Sequence, residues 1–233
     1  MQGKYKIWLL AFAILGILNL AAEFFHQQVL VFLTKPLLLT ILSIYFYQHT
    51  KSVSSSFRNL MLAGFLFSVA GDSFLMFVES NPQQQIFFLL GLGSFLITHL
   101  CYGIAFYRFP STARGWVARH PWILLVFLTY LIGNSLFLWS ALPVPLRLPV
   151  IVYSSCIMLM TVTALNLAGK IPKAIFQILF LGVLLFVFSD TMIGLHKFKS
   201  ATITLPYPRL LIMIPYLLGQ YFIVRAAIQM NNS

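Results

Sequence analysis

The sequence predicts an all-α integral membrane protein, a bundle of eight transmembrane helices that forms a single domain over residues 1–233. Of these 233 residues, 60% are hydrophobic and only 8% are charged, whereas soluble domains carry roughly 25% charged residues. The apolar residues also occur in runs of about twenty, the length that crosses a bilayer as a helix. No polar stretch between the runs is long enough to fold as a separate soluble domain.

Eight apolar runs predict the spans, and short segments rich in proline, glycine, serine or asparagine separate them. The basic start of the chain leads straight into the first run, as in a signal peptide. No small-residue cleavage site follows, so we expect the first helix to be retained. The predicted spans are 7–25, 29–47, 57–78, 86–106, 121–140, 147–168, 173–195 and 207–228.

Lysine and arginine are unequally divided between the two sides of this topology. Ten fall on the side of the termini, four fall on the other side, and Lys35 lies inside the second span. Because cytoplasmic segments carry the excess of such residues, we expect both termini in the cytoplasm. The net charge of +11 is then explained by topology and lipid headgroups rather than by nucleic-acid binding. The minimal loops favour a bacterial cytoplasmic membrane.

Two of the four acidic residues lie within apolar runs and are the candidate catalytic residues. Asp72 lies in the run 57–78 and Asp190 in the run 173–195, and the other two acids are Glu23 and Glu79. An ionisable group inside a bilayer is energetically unfavourable unless it has a partner or water, so it indicates a functional site. A purely structural carboxylate is the alternative for both aspartates.

The depth of these residues predicts one polar cavity that opens toward the outer face. Helix rise places Asp72 and Asp190 about 8–9 Å below the outer end of their spans, and Lys35 lies at a similar depth. Lys35 either neutralises an aspartate or holds a phosphate. Glu23 closes the first span on the same side, and we expect it to be a solvated charge at the rim, with headgroup contact as the alternative.

The fourth span adds His99 and Tyr102, which are three residues apart and therefore share one helix face. His99 is interpreted either as a buried histidine that is bonded to a neighbouring helix or, with Tyr102, as the floor of the cavity or a proton relay. Ser189 precedes Asp190 and is expected to hydrogen-bond it. The five histidines are spread over both sides and the membrane, so no metal site is expected. Cys101 and Cys156 lie in apolar runs and are interpreted as core residues.

Several short motifs together resemble the lysoplasmalogenase (YhhN-like) family of eight-span membrane proteins, over essentially the whole chain. The motifs are Thr34-Lys35-Pro36-Leu37, Phe67-x-x-x-Gly71-Asp72, Phe95-x-x-x-His99-x-x-Tyr102, Phe188-Ser189-Asp190 and Gly219-Gln220-Tyr221-Phe222-Ile223-Val224-Arg225. The family often has histidine where this chain has Gln220, which argues against an essential role there.

The resemblance implies hydrolysis of the vinyl-ether bond of lysoplasmalogens, which yields a fatty aldehyde and glycerophosphoethanolamine or glycerophosphocholine. Two aspartates in one cavity suit that reaction as general acid and base, without metal or cofactor. Lys35, Glu23, His99, Tyr102 and Ser189 are the expected substrate-binding residues. A proton-coupled transporter of a small molecule or lipid that uses the same aspartates is the main alternative, and a hydrolase of another lysolipid bond is the second. Headgroup preference and oligomeric state stay open.

Overall fold

The computed structural model describes residues 3–50, 55–80 and 85–232. Within these ranges the regular secondary structure is helical, apart from one isolated bridge between Ala168 and Ile171. The helices are α1 (Gly3–Phe24), α2 (Gln28–His49), α3 (Ser55–Ser80), α4 (Gln85–Tyr107), α5 (Trp116–Arg119), α6 (Ile123–Trp139), α7 (Val144–Leu165), α8 (Lys173–Lys199) and α9 (Pro208–Asn232).

The predicted fold class is confirmed. Seven of the described helices are long and apolar enough to cross a membrane. The eighth apolar helix, α6, corresponds to the predicted span 121–140 and has 17 residues. At a rise of 1.5 Å per residue it is about 26 Å long, slightly less than the hydrocarbon thickness of about 30 Å.

Two details of the chain between the fourth span and the seventh differ from the prediction. The segment that was expected to be a plain loop contains the short helix α5. The helix α7 begins at Val144 rather than at residue 147, with Pro145 in its first turn. Proline is tolerated there because the first N–H groups of a helix have no intrahelical partner, so the Pro143-Val-Pro145 segment starts the helix instead of separating two spans.

The helices form two compact units, which we describe separately. The first unit comprises the chain up to Tyr102 together with the residues from Ala227 onward, and the second is Gly103–Ala226. The predicted boundary at Asn81-Pro82 and part of the serine cluster at 52–56 lie outside the described residues, as does the side chain of Glu79.

In the first unit, α1 packs on α2 and α2 packs on α3. A turn of three residues joins α1 to α2, and His26 adopts a left-handed backbone conformation in it, with φ of 56°. The three helices meet at a small apolar cluster of Ala22, Val31 and Met76. The short turn therefore fixes the end of α1 beside the beginning of α2.

In the second unit, α8 and α9 approach so closely that their backbones touch at two glycines. A methyl group added at Gly182 would lie 2.9 Å from the carbonyl oxygen of Gly219, and one added at Gly219 would lie 2.9 Å from that of Gly182. Such close approach without side chains is the usual basis of helix packing in membranes. Next to this contact, the rings of Phe186 and Tyr216 pack edge to face at 5.5 Å.

Candidate functional site

Asp72 lies on the buried face of α3. The buried positions of this helix recur every three or four residues, which is the spacing of one helix face. Asp72 is 4% exposed and is a member of that series, and the others are Met61, Phe65, Ser68 and Met76. The sequence predicted that this carboxyl group is inside the membrane, and the structure adds that it faces protein rather than lipid.

The close approach of α4 to α3 around Asp72 depends on small residues. A methyl group at Gly71 would lie 2.7 Å from the ring of Phe95, and one at Gly64 would collide with the ring of Tyr102. The aromatic rings of α4 thus occupy the space that side chains at these glycines would need. Gly71 therefore allows two helices of the first unit to pack closely.

Lys35 and Glu23 form a buried ion pair in the first unit. The Nζ atom of Lys35 lies 3.4 Å from Oε1 of Glu23, and the two side chains are 6% and 1% exposed. The expectation that Glu23 is a solvated charge at the rim is therefore wrong. The turn between α1 and α2 brings the end of α1 within reach of the second turn of α2, and opposite charges in a medium of low dielectric constant pair strongly.

A second polar contact joins the same two helices. The side-chain amide of Asn19 donates a hydrogen bond of 2.9 Å to the hydroxyl of Thr34, and that hydroxyl donates to the carbonyl oxygen of Leu30 at 2.7 Å. Both side chains are buried. Because Thr34 directly precedes Lys35, this contact and the ion pair together hold α1 against the kink-prone Lys35-Pro36 segment.

His99 and Tyr102 are fully buried on one face of α4, as their spacing predicted. The ring of Tyr102 packs against that of Phe65 at 5.6 Å, so this tyrosine contributes to the packing of α3 and α4. Next to His99, the hydroxyl of Thr98 lies 3.0 Å from the carbonyl oxygen of Gly64 and accepts a hydrogen bond of 3.2 Å from Ser68. Thr98 and Tyr102 thus lie at the contact of α4 with α3.

In the second unit, Asp190 is 7% exposed on α8 and interacts electrostatically with the phenol of Tyr153 on α7. Sequence reasoning did not identify Tyr153. It is a tyrosine within an apolar span, and without the packing of α7 on α8 nothing distinguishes it from a tyrosine at the membrane interface. The structure therefore adds a phenol as a neighbour of the predicted catalytic carboxyl group.

The two residues that flank Asp190 bind to other partners. The hydroxyl of Ser189 donates to the backbone carbonyl oxygen of Ile212 on α9 at 2.9 Å, although the sequence suggested a hydrogen bond to Asp190. Thr191 donates to the carbonyl oxygen of Val187, and its oxygen lies 2.9 Å from the hydroxyl of Tyr130 on α6. Consecutive residues of α8 point in different directions, about 100° apart, so each meets a different helix.

Comparison with known proteins identifies the family of this chain. The model of the YhhN family matches residues 30–227, which is most of the chain. This chain belongs to the YhhN family. No solved structure resembles this YhhN protein significantly, so its arrangement of helices has no experimental counterpart among the comparisons.

Two curated relatives of this YhhN protein carry the name lysoplasmalogenase TMEM86A. The protein from Bos taurus is 31% identical over 172 residues, and the protein from Homo sapiens is 30% identical over 185 residues. Each match covers 72% of this chain and 65% of the relative. The chain therefore matches a little less than two thirds of the length of these relatives.

Proposed function

We propose that this protein hydrolyses the vinyl-ether bond of lysoplasmalogens within the membrane, releasing a fatty aldehyde and glycerophosphoethanolamine or glycerophosphocholine. The observation that carries the proposal is a carboxyl group on the protein-facing side of a membrane helix in each unit, Asp72 at 4% and Asp190 at 7% exposure. It is joined by the name lysoplasmalogenase, which two relatives carry. Hydrolysis of a vinyl ether begins with protonation of its alkene carbon, so the reaction requires a general acid such as a carboxyl group.

The reaction proceeds in three steps that balance without an oxidant, a reductant or a metal. A general acid protonates the alkene carbon that is remote from the ether oxygen, which produces an oxocarbenium ion. Water adds to the cationic carbon and loses a proton to a general base, which produces a hemiacetal. The hemiacetal then breaks its bond to the glycerol oxygen, which takes up a proton and leaves as the alcohol, while the remaining carbon becomes the aldehyde.

We assign the acid and the base to Asp72 and Asp190, without deciding which is which. Two carboxyl groups that share a site of low dielectric constant bind one proton more readily than none or two, so one acts as an acid while the other acts as a base. A carboxylate also stabilises the oxocarbenium ion electrostatically, as in glycosidases. Tyr153 interacts with Asp190 and is the neighbour that we expect to tune that carboxyl group.

Lys35 is better suited to tuning this site than to holding a phosphate. Its ammonium group is already compensated by Glu23 at 3.4 Å, so the pair presents little net charge to an anionic group. The pair also has both partners buried, which makes it costly to separate. We therefore propose that Lys35 and Glu23 shape the electrostatic environment of the first unit, and that His99 and Tyr102 support the α3–α4 contact beside Asp72.

The test is aldehyde release from a defined lysoplasmalogen by the purified protein, with Asp72→Asn, Asp190→Asn and the double variant. We expect each single variant to lose activity by a factor of about 10² to 10⁴, the usual contribution of a general acid or base. Ser73→Ala is the matched control, because the hydroxyl of Ser73 bonds only its own helix, at the carbonyl oxygen of Val69. That variant is expected to retain activity.

The outcomes separate this proposal from the alternatives. Full activity in the folded double variant would refute the catalytic role of the two aspartates, whereas the proposed hydrolase activity would still stand. No aldehyde from folded wild type, with ethanolamine or choline headgroups, would remove the hydrolase and favour a proton-coupled transporter, which is measured as flux in vesicles. Release of a fatty acid from an acyl lysolipid, without aldehyde from the lysoplasmalogen, would indicate hydrolysis of a different lysolipid bond.

The approach of the two aspartates to one another is a separate test. The proposed mechanism requires that both carboxyl groups reach the same substrate molecule. In a background without Cys101 and Cys156, cysteines at positions 72 and 190 are expected to form a disulfide on mild oxidation, which requires Cα atoms within about 7 Å, or to be joined by a short reagent with two thiol-reactive groups. If even reagents that span more than about 10 Å do not join the two cysteines, the result would contradict a shared site.

We also propose that both termini lie in the cytoplasm and that the membrane is the bacterial cytoplasmic membrane. The unequal distribution of lysine and arginine supports the orientation. The test is to fuse a reporter enzyme, which is active only outside the cytoplasm, to each terminus in turn. We expect neither fusion protein to show reporter activity. Activity of that reporter at either end would contradict the orientation.

A further inference from the structure

The second unit carries an apolar groove between α8 and α9 that has no role in the proposed chemistry. Its cavity has a volume of about 500 Å³ and exposes no polar surface, which is within the usual size of ligand pockets. We call it the α8–α9 groove, and Leu185, Phe188, Tyr207, Ile214, Pro215 and Leu218 are among the residues that line it. From Tyr207 to Leu218 it extends about 16 Å along α9.

Four cations lie at the end of the second unit where the groove opens beside Tyr207. Because α6 and α8 end where α7 and α9 begin, Arg147, Lys197, Lys199 and Arg209 all lie at the same end of the second unit. The contact of Lys199 with Ser140, at 3.3 Å, confirms that the ends of α6 and α8 meet. The segment from 191 to 226 contains no acidic residue. This end of the unit is therefore strongly positive, and Arg209 is next but one to the groove residue Tyr207.

Tyr207 itself has an unusual backbone conformation at the mouth. It has φ of 45°, although it is not glycine and is followed by Pro208, a combination that is sterically unfavourable. Its carbonyl oxygen accepts hydrogen bonds from the N–H groups of Leu210 and Leu211, at 3.0 and 3.1 Å. Strained residues of this kind concentrate at ligand sites. Here the strain turns the chain into α9 and leaves the Tyr207 side chain 67% exposed at the mouth.

The groove lies outside the aspartate site. Successive residues of a helix are rotated by 100°, so Asp190 projects about 160° away from Phe188 and about 140° away from Leu185. Between the two directions lies the contact of α8 with α9, where Ser189 bonds Ile212. Asp190 instead faces Tyr153 of α7. A molecule in the groove is thus separated from Asp190 by the α8–α9 contact.

We propose that the α8–α9 groove is a docking site for a single-chain phospholipid, with the hydrocarbon chain in the groove and the phosphate at the cations of the mouth. The occupant is inferred from charge complementarity. The groove is apolar along its length and positive at one end, and a single-chain phospholipid has one apolar chain with one anionic phosphate at its end. Arginine suits this contact because its planar guanidinium binds phosphate in a bidentate manner. The proposal relies on the proposed function only for its consequence in catalysis.

The phosphate, rather than the chain, decides the selectivity of such a site. A hydrocarbon chain gains little by leaving the bilayer for an apolar groove, because lipid tails are as apolar as the groove. The groove therefore holds and orients a chain that any lipid offers, while the positive rim selects a chain that carries a phosphate. A matched lipid without phosphate is expected to bind much less well.

The test is photolabelling of the full-length protein in nanodiscs of neutral lipid. The probe is a lysophosphatidylethanolamine with an acyl chain and a diazirine at mid-chain, which has no vinyl ether and so cannot undergo the proposed reaction. The matched probe is a monoacylglycerol with the same chain. We expect the phosphate probe to label residues 185–188 and 206–218 roughly fivefold more than the matched probe, a factor that corresponds to about 1 kcal/mol.

Two pairs of variants sharpen the result. Ile214→Trp fills the groove and is expected to lower labelling roughly fivefold, again about 1 kcal/mol. Val152→Trp, at a similarly exposed position on α7 (43% against 42% for Ile214), is expected to leave labelling unchanged. Arg209→Gln is expected to remove the preference for the phosphate probe, and Arg209→Lys to retain most of it.

Three results would overturn the docking site: equal labelling by both probes, equal labelling of the lipid-facing α7 residue Leu148, or cross-links from the groove to a second copy of the chain. The catalytic consequence is measured separately with a lysoplasmalogen, where Ile214→Trp is expected to raise KM and leave kcat unchanged. If wild type releases no aldehyde, the proposed function fails while the photolabelling result stands. If aldehyde is released but labelling is uniform, the docking site fails alone.

Discussion

The two glycines at the contact of α8 and α9 allow a quantitative prediction. In Gly182→Ala the new methyl group would lie 2.9 Å from three atoms of α9, and two of these belong to the backbone, at Gly219 and Ile223. Backbone atoms cannot rotate away as a flexible side chain does, so the two helices must separate. Overpacking of this kind destabilises by about 1–3 kcal/mol.

The matched control for this substitution is Gly133→Ala. A methyl group at Gly133 would have no atom within 4 Å, so the control measures only the higher helix propensity of alanine, about 1 kcal/mol in its favour. Because Gly182→Ala gains the same propensity, the difference between the two variants isolates the steric term.

The assay is thermal unfolding of the purified protein in detergent, followed by circular dichroism. For a chain of this size, 1 kcal/mol corresponds to roughly 2–4 °C, so we expect Gly182→Ala to melt about 2–12 °C below Gly133→Ala. Gly219→Ala is expected to behave similarly, and the double variant to lose less than the sum, because both methyl groups separate the same contact. Equal melting temperatures for Gly182→Ala and Gly133→Ala would refute the reasoning.

Three further predictions concern the polar contacts. Tyr153→Phe removes the hydroxyl that interacts electrostatically with Asp190, and we expect an altered pH profile of kcat at nearly unchanged KM. An identical profile would show that the phenol has only a packing role. Replacing either Glu23 or Lys35 alone by an apolar residue is expected to destabilise the protein by about 3–5 kcal/mol, and replacing both is expected to destabilise it by less. Additive effects in a double-mutant cycle, measured by thermal unfolding, would contradict the ion pair. Thr98→Val is expected to cost about 1–3 kcal/mol, since a buried hydrogen-bond network loses its hydroxyl, and unchanged thermal stability would exclude that network.

Much of the fold was predictable because the membrane itself restricts the possibilities. Within a bilayer every backbone polar group must be bonded internally, so an apolar run of about twenty residues has to be a helix. The described helices accordingly follow the predicted spans, and one of the differences occurs at a proline. Pro145 lies in the first turn of α7, where a missing N–H removes no intrahelical hydrogen bond. Because the prediction treated this proline as part of the loop, it placed the start of α7 at residue 147, which is too late.

The candidate site was predictable in part. That Asp72 and Asp190 lie inside spans follows from their position in apolar runs. Glu23 was assigned to the solvated rim because it closes its span, and the structure instead buries it against Lys35. Glu23 was expected at the end of its span, and it does lie near the end of α1. The direction of its side chain could not be predicted, because in a helix as uniformly apolar as α1 the sequence pattern does not distinguish the face that meets α2 from the face that meets lipid.

By itself, the sequence determined which segments enter the membrane and which ionisable groups they carry, because length and hydrophobicity are properties of a single segment. Only the tertiary structure decided which neighbour each polar group meets: Tyr153 for Asp190, Ile212 for Ser189 and Asn19 for Thr34. These pairings depend on how each helix is rotated about its axis. That rotation is set by contacts between helices, such as those at Gly182 and Gly71, and each contact involves residues that are far apart in the chain.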